Sequence, residues 1–469
     1  MPAAEAVIAA NRFGLGARPG DLARLDGNPR EMLLAQIRGP APLLTEPLPG
    51  SRELLTRVMA ARSSARSDDP APARNTTAAA GQPPAAQLGR QIRESYLPAY
   101  VADVTARTRA AILRERDFLE RLVQFWSNHF AVSVDKIAVL GLAGAMEREA
   151  IRPHVLGDFA DLLLAVEQHP AMLLYLDNHL SIGPGSRLAK LADRRGRDLG
   201  LNENLGREIL ELHTLGVDGQ YTQQDVQAMA AMITGWSIGG EMGRLRGGEP
   251  GTFHFRDAFH EPGAQKLLGR SYRGEGVEQG AAALRDLARH PRTARHLSTK
   301  LARHFVADDP PPALVERMTR AWLDTNGSLP AVYRALLESP EAWRSPLVKY
   351  KTPIEYIVSA YRALSLPFGE RMADYRVFEA LGQRSFQPGS PAGWPDRSAD
   401  WDGSSALLKR LEWAQQLAQG LGSSRNALQV AEASLGISLS TGTRQSITRA
   451  QDGTQALTLL LASPEFMRR

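Results

Sequence analysis

The sequence predicts a mainly α-helical globular protein: a multi-helical, bundle-like core with one small β-hairpin excursion near residues 237–275. Three observations carry this. Apolar residues recur at helical spacing near 143–152, 157–167, 203–215, 223–233, 278–289, 292–305, 313–324, 352–365, 404–419 and 453–462, and Gly/Pro turns separate these runs. Only the Gly-rich stretch 237–275 breaks the texture, with the alternating "TFHF" and an expected partner strand near "KLLG". No self-similarity at a period of about 20–50 residues points to a solenoid.

Composition narrows the class. At 469 residues, 43% hydrophobic and 23% charged, the chain has the length for a large core and the usage of an ordinary globular protein, so neither disorder nor a fibre is expected. No stretch reaches the roughly 18 consecutive apolar residues of a membrane span. Fifty-six Lys plus Arg against 51 Asp plus Glu leave a net charge of +5, too dilute for a nucleic-acid partner to be expected. There is no Cys, which excludes disulfides, thiolate catalysis and Cys-ligated zinc or iron–sulfur centres. The start, "MPAAEAVIAANRFGLGARPGD", shows no basic region followed by an apolar one, so no signal peptide is visible. No GxGxxG follows a strand and GxxxxGK[ST] is missing, so there is no nucleotide or flavin motif.

In chain order, residues 1–62 form an N-terminal helical segment. Residues 63–87, rich in Ala, Pro and Ser without periodicity, are expected to be a mobile loop or linker, and 88–469 the main helical domain. Pro98 marks a kink or the first turn of a new helix. "FWSNHF" ends a long helix, placing Trp126, Asn128 and His129 where a helix C-terminus favours an imidazolium; His129 is a hydrogen-bonding or metal candidate.

The stretch 200–226 reads as a helix hairpin. Leu205, Ile209, Leu212 and Leu215 share one face, and Asn204, Arg207, Glu208 and Glu211 form a polar stripe. Gly216 follows as a C′ glycine, and Thr222 with Asp225 resembles the cap of the second helix. On a straight α-helix His213 projects away from the stripe, so it cannot join those carboxylates at one metal. The turn imitates half an EF-hand loop, but Thr214 and Gly216 stand where carboxylate ligands are needed. Two readings remain: Arg207–Glu211 pairing with a solvated polar face, or a cleft wall in which one carboxylate is an acid or base.

Further along, "FHFRDAFHEPGAQK" supplies His254, His260, Glu261 and Lys266 from an irregular loop. Arg292, His296, Lys300 and Arg303 form a basic stripe whose default reading is a solvated face, with an anionic ligand as the alternative. Thr352, Pro353 and Glu355 make a capping box with proline at N1, which gives Glu355 a structural role. Residues 382–403 form a long loop stiffened by Pro388, Pro391 and Pro395; its Phe386, Trp394 and Trp401 favour an ordered wall, suited to stacking on a sugar or other flat ligand.

"RFGLGARPGD", "FWSNHFAVS", "LLYLDNHLS", "NENLGREILELHTLGVDGQYTQQDVQAMAAMITGW", "FHFRDAFHEPGAQKLLG", "HPRTARHLSTKLARHFVADDPP", "KTPIEYIVSAYRAL" and "GQRSFQPGSPAGWPD", in order over nearly the whole chain, resemble the bacterial domain-of-unknown-function 1800 family. The resemblance supplies no mechanism. It implies a periplasmic or exported location, a sulfatase-like partner protein, and a joint role on an envelope carbohydrate or similar polymer. Where the family often has His-Asp after "FHF", this chain has His260-Glu261. The expectation is then a hydrolytic or metal-assisted enzyme, with a divalent metal as its cofactor candidate. His129, Glu208 and His260 are the ligand or acid–base candidates. Trp126, Asn128, Asn204, Arg207, Glu211, His213, Trp236, Lys266 and Trp394 are the pocket candidates. The alternative is a non-catalytic binding or assembly partner of the sulfatase-like neighbour.

Overall fold

Helices form where apolar spacing and caps require them. The computed structural model describes residues 3–67, 84–196, 199–240, 247–274, 276–369 and 372–469. The predicted runs appear as helices Phe159–Glu167, Gln223–Met232, Val277–Ala288, Pro291–Phe305, Pro312–Asp324, Pro353–Leu364, Ser404–Leu421 and Gly453–Leu461. The Thr222 side chain accepts from Asp225 N and the Asp225 carboxylate from Thr222 N, so the hairpin's second helix starts on a capping box. Thr352 and Glu355 form the other. Such caps contribute about 1 kcal/mol each by satisfying amides that the helix leaves orphaned.

Of the expected linker 63–87, residues 63–67 end the helix Ser51–Ser67, residues 84–87 begin the helix Pro84–Leu113, and the remainder lies outside the described residues. Pro98 sits inside Pro84–Leu113, which continues through it as one helix. The first residues belong to the main core: the Phe13 ring lies 6.1 Å from Phe118, 6.0 Å from Phe305 and 5.0 Å from Trp343. One hydrophobic cluster runs from Ala6 to Met467.

Two local features depart from the expectation. The strand Phe253–Phe255 pairs antiparallel with Trp236–Ile238, whereas Gln265–Leu267 turns back on Arg270–Tyr272. "TFHF" therefore does not pair with "KLLG"; each finds a neighbour that buries an apolar residue, Trp236 for the first pair and Tyr272 for the second. The second departure is a set of π-turns, three among the described residues, at Ala9–Phe13, Glu147–Ile151 and Ile209–Thr214. Their wider hydrogen bonds, Arg152 N to Glu147 O (2.8 Å) and Leu215 N to Leu210 O (3.0 Å) among them, insert a residue into the turn. Every following side chain is rotated off the α-helical wheel. His213 lies in this turn on the side away from the polar stripe, buried, with Nδ1 2.6 Å from Glu167 Oε1.

Candidate functional site

The helix Asp117–His129 is strongly amphipathic, and its last turn brings Phe125, Ser127, Asn128 and His129 to the wall of a cavity of about 370 Å³. Opposite lies the helix Pro291–Phe305, which starts on proline and the His290 side chain and buries Ala294, Leu297, Leu301 and Phe305 completely. Burying that row sets the flanking Lys300 and His304, one turn apart, against the cavity. The loop 382–403 closes the remaining side through Phe386, Gly393, Trp394 and Asp396.

Asn128 latches this loop. Its Oδ1 accepts from Trp394 N at 2.7 Å and its Nδ2 donates to Trp394 O at 2.9 Å, imitating a strand partner. Gly393, at φ +81°, lies so close that a Cβ there would overlap the Asn128 carbonyl. Phe386 holds a left-handed backbone at φ 56°, and its carbonyl accepts from Val134 N at 2.9 Å. Strained non-glycine backbone on a cavity wall persists only where its surroundings over-determine it.

The wall's electrostatics are uneven. Lys300 Nζ donates to His129 Nδ1 at 3.0 Å, and His129 Nε2 donates to the His213 carbonyl at 3.2 Å, which keeps His129 neutral with its proton on Nε2. Burial, then Lys300 and His213, push the His129 imidazolium well below the ordinary range. His304 Nδ1 donates to Asp396 Oδ1 at 3.2 Å, which leaves Nε2 as the free lone pair, and that atom is buried without a partner among the described residues. Burial pushes His304 down to about 4 although Asp396 opposes it. Lys300 is pushed down to about 8, again by burial, with Asp396 opposing. At neutral pH the wall therefore holds one ammonium and two neutral imidazoles. Among the described residues no three His, Asp or Glu side chains are grouped so as to hold a metal ion.

Residues 8–468 match a family described as a protein of unknown function, DUF1800. The chain belongs to the DUF1800 family. No curated protein and no solved structure matches it.

In this DUF1800 member the three residues singled out as catalytic are spread over different surroundings. His129 lines the cavity. His260 is buried elsewhere, its Nδ1 3.1 Å from Thr234 O, beside the Phe255 ring. Glu208 is half-buried; burial raises its carboxyl while His213 opposes, and with Asp135 it helps to push Tyr175, already raised by burial, up to about 12. Of the pocket candidates, Asn128 and Trp394 line the cavity. Trp126 is core, donating to Tyr333 Oη at 2.7 Å, and Trp236 is fully buried against Phe253. Arg207 joins Glu203 (3.1 Å), Glu211 (3.4 Å) and Gln223 (2.9 Å), so the stripe is a lock between the hairpin's helices. Asn204 is an exposed first-turn residue, Lys266 an exposed strand residue, and His213 is held by Glu167.

Glu261 has its own fit. Its Oε2 accepts from Gly185 N at 2.6 Å, and a Cβ at Gly183 or Gly185 would collide with it. The longer carboxylate therefore fills a glycine-lined cradle and caps the 181–186 loop.

Sequence reasoning placed Lys300 on a basic stripe, solvated by default with an anionic ligand as the alternative, and left His304 and Asp396 without a role. The signal was available only in part. Lys300 and His304 stand at i and i+4 on the flank of an apolar row, but Asp396 arrives from 92 residues away.

Proposed function

We propose that the chain is a hydrolytic enzyme using general acid–base chemistry, with the Lys300/His304/Trp394 cavity as its active site and a polymer of the cell envelope as its substrate class. One observation carries the reading: a His–Asp dyad, His304 Nδ1 to Asp396 Oδ1 at 3.2 Å, leaves a buried Nε2 without a partner among the described residues, in a histidine that lines the same cavity as a cationic lysine. Asp396 fixes the tautomer and the ring orientation, as the carboxylate of a catalytic triad does for its histidine. In hydrolysis, Nε2 takes a proton from water as its oxygen bonds to the electrophilic centre. The imidazolium then returns that proton to the departing oxygen as the scissile bond breaks, so one water is consumed and two hydroxyl-bearing products form. The Lys300 ammonium is placed to stabilise the negative charge that develops in between. Phe386 and Trp394 offer flat apolar walls to a sugar-like unit. The polymer class itself rests on the family resemblance.

The test is a panel of p-nitrophenyl acetate, phosphate, sulfate and glycosides, with soluble envelope polysaccharide, assayed with wild type, His304→Gln and Asp396→Asn. Turnover of at least one probe is expected, reduced roughly 10²–10⁴-fold in His304→Gln with the fold intact by circular dichroism. Inertness across the panel, or a His304→Gln variant as active as wild type, overturns the enzyme reading in favour of a binding or assembly role beside a sulfatase-like protein.

A further inference from the structure

We propose that this cavity holds an oxyanion group of its ligand, a carboxylate, sulfate or phosphate, between the Lys300 ammonium and the Trp394 indole N–H. The inference rests on taking the cavity as the working site, and it does not require that the site hydrolyse anything.

Charges and hydrogen-bond donors around the wall do not balance. Arg107 is neutralised by Glu147, Nε to Oε2 at 2.7 Å. Glu355 is held between Arg121 and Arg469, the latter at 2.7 Å. Asp396 lies 3.9 Å from Lys349 Nζ and accepts from His304. Lys300 alone has no carboxylate within ion-pair distance among the described residues, although Asp396 is near enough to be felt. One of its N–H groups goes to His129 Nδ1, and an ammonium carries three.

Trp394 adds a second, independent observation. Its Nε1 is sealed from solvent and has no acceptor among the described residues, and an indole nitrogen can only donate. Trp394 is not free to turn and find one. Its backbone is clamped on both sides by Asn128, and its ring packs 5.9 Å from that of Trp401.

A water molecule would answer the indole N–H, but not the charge. A lone halide would answer the charge, but a space of about 370 Å³ is many times its size. What satisfies both is an anionic group with several acceptor atoms, carried by a larger body that fills the space between Phe386, Pro388 and Trp394. Of the carboxylates on the wall, Glu355 is compensated by Arg121 and Arg469, while Asp396 shares Lys349 with Asp308 and is bound to the His304 ring. A compact ammonium is a suitable point charge for such a group, and charge-assisted hydrogen bonds in a partly dry site are the strong ones.

The experiment is calorimetric titration of the full chain with sodium sulfate, sodium phosphate and sodium acetate at constant ionic strength in sodium chloride, with the quench of tryptophan fluorescence as a second readout. Saturable 1:1 binding of at least one anion is expected, and the preference between tetrahedral and planar anions identifies the group. Lys300→Met should weaken Kd at least tenfold and Trp394→Phe several-fold. Glu208→Gln, away from the cavity, should bind as wild type does, while His304→Gln is read by its loss of hydrolysis, so failure of anion binding and failure of the enzyme reading are seen separately. Absence of saturable binding for all three anions, or Lys300→Met binding as tightly as wild type, overturns the proposal. Trp394→Phe, which keeps every charge, provides the same decision if Lys300→Met does not fold.

Discussion

Two polar clusters hang from the same helix, Asp117–His129, and they are built on opposite rules. At one, Arg152 donates to Glu120 (2.9 and 3.1 Å), to Glu147 (2.9 and 3.1 Å) and to the Pro42 carbonyl (2.8 Å); Glu147 in turn takes Arg107 (2.7 Å) and Ser127 (2.8 Å). Every nitrogen and oxygen named has a partner. Burial alone would raise the Glu147 carboxyl, and Arg107 with Arg152 more than offsets this, holding it below the ordinary value. At the other cluster, Lys300 has an imidazole for a neighbour, while His304 Nε2 and Trp394 Nε1 have no partner among the described residues. A saturated network locks elements together and leaves no capacity for a ligand, whereas an unsaturated one lining a cavity keeps its capacity for a guest.

The sharpest way to break this contrast is to remove one cation from each cluster. Arg152→Met should lose about 3–5 kcal/mol in urea unfolding at pH 7, because it strands two buried carboxylates. Lys300→Met strands none and should stay within about 1 kcal/mol of wild type. Equal losses would show that the lysine, too, belongs to a saturated structural network.

A second lysine sharpens the comparison. Lys351 is also starved of a carboxylate contact, but it is sealed, donating to Phe466 O (2.7 Å) and Ser359 Oγ (3.1 Å), and burial pushes it down to about 7 from the ordinary 10.5. Between those values the unfolded chain holds the proton that the folded chain has released, so stability rises with pH. Unfolding followed from pH 7 to about 9.5 should show a rise on the order of 3 kcal/mol that Lys351→Met flattens. An unchanged slope in the variant would assign the rise to other groups. Sulfate or phosphate should leave the Lys351 contribution untouched, since Lys351 does not line the Lys300 cavity.

Asn128→Ala removes both hydrogen bonds to Trp394 and should lower global stability by about 1–3 kcal/mol, while hydrogen exchange accelerates in 382–403 more than in the Arg152 cluster. Uniform acceleration would mean that the latch is not local. The smallest effect is expected at Glu208. Glu208→Gln relieves a half-buried carboxyl without breaking a hydrogen bond or ion pair found among the described residues, so stability should change by less than about 0.5 kcal/mol and anion binding not at all. A large loss of either would return Glu208 to the site.

Much of the fold was legible because the signals are local. Thr222 and Asp225, like Thr352 and Glu355, close their boxes within three residues, and the row Ala294, Leu297, Leu301, Phe305 announces its own buried face. The π-turn Ile209–Thr214 was not legible. Its residues suit an α-helix equally well, and the Glu167 that pairs with His213 in the turn lies 46 residues away in the chain. Glu355 shows the same limit: the capping role was readable, but not its simultaneous hold on Arg121 and Arg469.

By itself, then, the sequence determined the helical class, the positions of turns and caps, and membership of the DUF1800 family, because periodicity, proline and short-range hydrogen bonds act within a few residues. Tertiary structure alone decided which charges are spent on one another and which are left over. His129 and Lys300 meet across 171 residues and His304 and Asp396 across 92. Whether a cation is compensated depends on the full set of carboxylates around it, and that set exists only after the chain has packed.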